Sequence, residues 1–139
     1  MKFNRTASAH WMGGGKEGKG TLSTESGVLK ESPYAYKTRF EDAVGTNPEE
    51  LIGAAHAGCF TMQLSFFLEE EGFKADRLDT SAKVYFEDGS IPKIELHLKG
   101  KVSGMDKKKF EEVANKAKEN CPVSKLLNAD ISLTTTFED

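Results

Sequence analysis

Two cysteines, Cys59 and Cys121, are the residues in this 139-residue chain best suited to chemistry. A thiolate is both a nucleophile and a metal ligand, and it begins the oxidation series that runs through sulfenic acid to a disulfide. The two stand 62 positions apart, so they form neither a CxxC motif nor a zinc knuckle. His10, His56 and His97 are the only histidines, and none stands at ligand spacing from a cysteine, so no metal site is expected. If the two sulfurs meet in the fold, the chemistry open to them is thiol oxidation. A peroxide converts one thiolate to a sulfenic acid, and the other thiol condenses with it. Spacing alone does not bring them together, and a buried free cysteine with no cation beside it is an inert small hydrophobe. Gly13-Gly14-Gly15 with Gly18 and Gly20 lacks the GxxxxGK[ST] spacing of a phosphate cradle and reads as a flexible hairpin. Lys107-Lys108-Lys109 reads as a solvated helix face, and no Ser-His-Asp arrangement stands out.

The elements that must position the cysteines follow from pattern. Thr46-Asn47-Pro48-Glu49-Glu50 offers Asn47 as helix cap, Pro48 at the first helical position and two carboxylates in the first turn. The helix is expected to run to about Glu71 and stop at Gly72, with Cys59 in its middle among Ala54, Ala55, Ala57 and Gly58. It is apolar or small nearly all round, which predicts burial on most faces. One short chain has too little sheet to cover such a helix, which hints at a dimer with a shared core. Cys121 follows an amphipathic helix from Asp106 to about Asn120 and precedes Pro122, a position expected near the surface.

Strand patterns fill the remainder. Residues 2–11, Thr21–Thr24, Val28-Leu29 and the alternating run Tyr34–Phe40 read as strands before the long helix. After it, 76–87 and 91–102 alternate around a turn at Asp88-Gly89, with a shift in the second run at Gly100, and Ile131–Phe137 closes the chain. The result is an α+β domain over 1–139 with an antiparallel sheet, one core helix and one outer helix.

Composition sets the class. A net charge of −3, with 29% charged and 37% hydrophobic residues, describes an ordinary globular protein and argues against a nucleic-acid binder. Two cysteines are too few for a secreted disulfide scaffold. Leu51–Leu68 lacks Asp, Glu, Lys and Arg, but it carries six polar or glycine positions and acidic flanks, so it reads as a buried helix rather than a membrane span. With no apolar leader at the N-terminus, a cytoplasmic location is expected.

The runs TNPEELIGAAHAGCF at 46–60, NCPVSKLL at 120–127 and GKGTLSTESGVL at 18–29 closely resemble the osmotically inducible protein C (OsmC) family, relatives of the organic hydroperoxide resistance proteins. AHW at 9–11 and TRFE at 38–41 extend the likeness over essentially the whole chain. His56 and the arginine in TRFE resemble the OsmC branch more than its sister branch.

The resemblance implies an intertwined homodimer in which sheets wrap a long buried central helix. It implies a thiol peroxidase that reduces organic hydroperoxides without metal, haem or flavin and is restored by an external dithiol of dihydrolipoyl type. By motif position Cys59 is similar to the peroxidatic cysteine and Cys121 to the resolving one. Arg39 is similar to the arginine that stabilises the thiolate, and Glu49 to the carboxylate that orients it, with Glu50 a rival for that place. Physical reasons accompany each role: a permanent cation lowers a thiol pKa, and a carboxylate can fix the fork of a guanidinium. An apolar pocket from Phe60, Met62, Phe66, Phe67 or partner copies would favour organic peroxides. Two competing readings are an acyl-thioester hydrolase with Glu49 or His56 as base, and a redox-sensing or small-molecule-binding module without turnover. No role is assigned to His56.

Overall fold

Glycine turns and short extended runs shape the beginning of the chain. In the computed structural model, which describes all 139 residues, β1 (Ala7–Met12) pairs antiparallel with β2 (Lys19–Thr24), and β2 pairs antiparallel with β3 (Ser32–Tyr34). Trp11 lies opposite Gly20 and stacks against Tyr34 with ring centroids 5.3 Å apart. A Cβ on Gly18 or Gly20 would collide with the Trp11 indole, so these glycines make room for the ring. Val28-Leu29 is not a strand: Leu29 sits in a turn, its carbonyl accepting from the Thr24 N–H at 2.9 Å.

The expected strand at Tyr34–Phe40 also gives way. β3 stops at Tyr34, and Tyr36–Phe40 forms a short helix, α1. The Thr38 hydroxyl accepts from the Ala35 N–H at 2.8 Å and donates to the Ala35 carbonyl at 2.9 Å. This local side-chain bonding closes a turn where alternation had suggested a strand.

The long helix, α2 (Pro48–Glu70), begins and ends on the expected residues. The Asn47 side chain accepts from the Glu50 N–H at 2.8 Å, and Pro48 occupies the first helical position. At the other end Gly72 adopts φ 88°, with Gly72 N–H bonded to Glu69 O and Phe73 N–H to Leu68 O, both at 2.9 Å. That pair of bonds is a Schellman cap.

β4 (Arg77–Val84) and β5 (Lys93–Lys101) form an antiparallel pair joined through Asp88-Gly89, where both residues have positive φ. β6 (Asp130–Glu138) then lies parallel to β5 rather than antiparallel. The reason is topological. α3 (Lys107–Asn120) and α4 (Pro122–Leu126) intervene between β5 and β6, long enough for the crossover that a parallel pair requires. The α+β class stands, with one parallel ladder inside it. Nor does β5 shift at Gly100: burial continues at every second residue through Ile94, Leu96, Leu98, Gly100 and Val102. Gly100 belongs to that series because the Phe110 ring of α3 lies where a Cβ would go.

The chain divides into two compact units, Met1–Leu51 and Ile52–Asp139, with the boundary one turn inside α2. The second unit holds the hydrophobic core: Phe60, Leu64 and Leu68 from α2, Ile94, Leu96 and Leu98 from β5, and Phe110, Val113, Ala114 and Ala117 from α3. α2 contributes only one stripe, Gly53, His56, Phe60, Leu64 and Leu68. Burial on most faces is therefore not achieved within one chain, and Met62 and Phe66 remain 61% and 55% exposed. By length and composition α2 would suffice to cross a membrane; its apolar stripe is instead packed on β5 and α3 in the core.

Candidate active site

Cys59 lies on α2, one residue before the buried Phe60, and Cys121 stands at the junction of α3 and α4. The junction is built by Pro122, which cannot extend α3 and starts α4 at its first position, leaving Cys121 as the end of one helix and the cap of the next. Both cysteines are free. The turn carries Cys121 inward, so its expected exposure is reversed: Cys121 is fully buried in the core and Cys59 is the half-exposed member. A residue at a helix junction over a packed sheet points into the core when its neighbours on α3, Ala114 and Ala117, already do.

The two thiols are neighbours. Burial pushes the Cys59 thiol above its ordinary pKa, a hydrogen bond with the Cys121 side chain adds to the rise, and the Val123 backbone N–H opposes it. The thiol therefore has a partner sulfur and an N–H donor from α4, and at neutral pH its own surroundings favour the protonated form.

His56 sits one helical turn before Cys59 and is fully buried. Its Nε2 meets the Ser124 hydroxyl at 2.8 Å, whereas Nδ1 has no hydrogen-bond partner. Desolvation pushes its pKa below the usual imidazole value, so the ring is neutral near pH 7. Ser124 and Val123 were not singled out by sequence reasoning. Their signal was the run NCPVSKLL, which places both within three residues of Cys121.

In the first unit, Arg39 of α1 and Glu49 of α2 form a forked pair. Arg39 Nε donates to Glu49 Oε1 at 3.1 Å, and Nη2 donates to Oε2 at 2.9 Å. Glu50 is occupied elsewhere, accepting from the Thr46 hydroxyl at 2.7 Å, so Glu49 is the carboxylate that meets Arg39. The Arg39 side chain is 38% exposed, and an ion pair this open contributes about 0–1 kcal/mol to stability. What the fork supplies is orientation of the guanidinium.

Within one chain, Phe60, Met62, Phe66 and Phe67 do not converge on one pocket. Phe60 is sealed in the core and Phe67 packs against it under the Lys116 ammonium, 4.2 Å from the ring centroid. Met62 does line an open cavity of about 590 Å³ between α2 and β4, together with Ala57, Gly58, Thr61, Leu78 and Thr80.

Residues 40–136 match the family described as OsmC-like protein, and the chain belongs to that family. It is 50% identical over 137 residues to peroxiredoxin OsmC of Escherichia coli strain K12, covering 96% of each chain. It is 31% identical over 118 residues to the organic hydroperoxide resistance protein OhrB of Bacillus subtilis strain 168, covering 82% of this chain and 87% of that one. The crystal structure of Bacillus subtilis OhrB superposes with a TM-score of 0.66 at 28% identity, covering 94% of this chain and 98% of that one.

Proposed function

We propose that this chain is a cysteine-based peroxidase that reduces organic hydroperoxides to alcohols, with Cys59 attacking and Cys121 resolving. The observation that carries the reading is that the Cys59 and Cys121 side chains are neighbours, Cys59 packing against the core cluster that contains Cys121. The names of its relatives, a peroxiredoxin and an organic hydroperoxide resistance protein, agree with it. In the cycle, Cys59 thiolate attacks the terminal peroxide oxygen, the O–O bond breaks, and the alkoxide leaves and takes a proton to become the alcohol. Cys59 is then a sulfenic acid. Cys121 thiolate attacks its sulfur, the disulfide forms, and hydroxide departs as water. An external dithiol, of dihydrolipoyl type, returns both cysteines to thiols.

Arg39 supplies the cation that a thiol raised by burial requires, and Glu49 holds its fork in one orientation. The two units act together as one OsmC-like domain over 1–139, in agreement with a family match that crosses their boundary. The working form is a homodimer in the cytoplasm. Exposed Met62 and Phe66 on α2, and a β1 exposed along its whole length, are surfaces that a second copy would cover.

The test is turnover of cumene hydroperoxide by the full chain with excess dihydrolipoamide. Many equivalents consumed per protein, faster than hydrogen peroxide, is the expected result. Consumption that stops at one equivalent would make the protein a sensor. Acyl-thioester hydrolysis that survives Cys59→Ser and Cys121→Ser would make it a hydrolase.

A further inference from the structure

We infer that the hydrogen bond between His56 and Ser124 is a latch that holds Cys121 in attacking position on Cys59, so that both are positioning residues for disulfide formation. The inference rests on the peroxidase reading above and assigns a role that the reading leaves open.

The latch joins the two elements that carry the sulfurs. His56 lies three residues before Cys59 on α2, and Ser124 lies three residues after Cys121 on α4. Their 2.8 Å contact and the two neighbouring cysteines thus tie the same two elements together. Beyond this bond α4 is held by its junction with α3 and by Val123, which packs against the core. α4 is five residues long, none of them fully buried, and Leu126 is 78% exposed. A helix that short has no intrinsic stability, so its position depends on such ties.

His56 is also a costly residue to keep in the core. It is completely buried with Nδ1 unpartnered, a penalty that an apolar side chain of similar size would avoid. The one bond it makes is to Ser124. Packing therefore does not account for an imidazole at this position, whereas restraint of α4 does.

The consequence concerns the fate of the sulfenic acid. Once Cys59 is oxidised, Cys121 thiolate can attack its sulfur, forming the S–S bond and expelling hydroxide, which is protonated to water. Alternatively a second hydroperoxide oxidises the sulfenic acid to sulfinic acid and leaves as its alcohol. A latched α4 favours the first route because Cys121 is already in place.

The experiment oxidises the full chain with one equivalent of cumene hydroperoxide and follows disulfide formation by rapid quench and mass spectrometry. It then measures sulfinic acid at Cys59 during turnover with dihydrolipoamide. Ser124→Ala is expected to slow disulfide formation about tenfold, the worth of one buried hydrogen bond, and to raise sulfinic acid per turnover by a similar factor. Ser124→Thr, which keeps the hydroxyl, restores the fast step. The double variant His56→Leu with Ser124→Ala removes both polar partners, so the fold is retained while resolution stays slow. Wild-type resolution in that double variant would overturn the latch and leave only a packing role. Wild-type resolution and sulfinic acid yield in Ser124→Ala would overturn it as well, with the peroxidase reading intact. Failure of the unaltered chain to form a Cys59–Cys121 disulfide would instead overturn that reading, and the latch with it.

Discussion

The two units of this chain are built on different physics. Residues 52–139 contain every buried hydrophobic side chain, arranged as one cluster from α2, β5, α3 and the residues that flank them. Residues 1–51 contain a three-stranded sheet whose β1 is exposed at all six positions, and their only buried side chains are Thr38 and Thr46. The residues named for chemistry fall on either side of the same line. The thiol pair sits in the unit with a core, where burial raises a thiol and excludes water. The guanidinium clamp sits in the polar unit, where a charged fork stays solvated at little cost. Each setting suits its chemistry: a buried arginine would be expensive, and a fork left in solvent avoids that cost.

The contrast makes predictions of decreasing size. Cys59→Ser removes the proposed nucleophile, and peroxidase turnover is expected to fall at least about a thousandfold with thermal stability unchanged. Coupled consumption of cumene hydroperoxide checks it. Truncation in the core comes next. Phe110 is fully buried, stacks on Phe137 at 4.8 Å and fills the space over Gly100. Phe110→Ala should destabilise the protein by about 3–5 kcal/mol in urea denaturation.

Arg39→Met tests the division itself. An opposite charge close to an ionisable group shifts its pKa by about 1–3 units, so turnover at pH 7 should fall about ten- to a thousandfold. The sign with pH follows from the thiol. Thiolate is the attacking form and the parent's Cys59 thiol is already raised, so the rate should climb with pH in both proteins and lie lower at each pH in the variant. A pH–rate profile identical to the parent's would place the cation elsewhere. The smallest effect is expected in the polar unit. Trp11 rests on Tyr34 and donates to the Gly13 carbonyl at 3.1 Å, yet it remains 36% exposed. Trp11→Ala should cost about 1 kcal/mol, the worth of an aromatic pair at a surface. A loss matching that of Phe110→Ala would erase the distinction between the units.

His56 adds a pH dependence of stability. Its folded pKa is lowered by desolvation, so below about pH 6.5 the unfolded chain takes up protons that the folded chain resists. Stability should therefore decline as pH falls below that point, and His56→Leu should flatten that part of the curve.

Local chemistry made much of this legible in the sequence. Asn47, Pro48 and Gly72 fix both ends of α2 through side-chain capping, a proline with no N–H to lose and a positive φ. Asp106 caps α3 in the same way, accepting from the Lys109 N–H at 2.8 Å. What failed was alternation over short runs. Tyr34–Phe40 alternates, but the Thr38 hydroxyl turned it into a helix. Gly100 resembled a break in β5 because the Phe110 ring that replaces its side chain comes from another element. The burial of Cys121 departs from the sequence expectation for a similar reason. A proline signals that a helix ends, and the direction the next turn takes depends on tertiary packing. Arg39 and Glu49 were named through motif resemblance, since a strand arginine and a helix-start acid carry no mark of their pairing. Ser124 is marked only by its place in NCPVSKLL, three residues after Cys121.

The central claim is that Cys59 and Cys121 form one redox pair, and one measurement addresses it directly. The full chain, reduced and then treated with a single equivalent of cumene hydroperoxide, is analysed by intact mass and by peptide mapping without reductant. The account predicts a mass lower by two hydrogens, one intramolecular link between the peptides holding Cys59 and Cys121, and no such link in Cys59→Ser. Peroxide consumed with both thiols still free, or oxidation confined to Cys121, would contradict it.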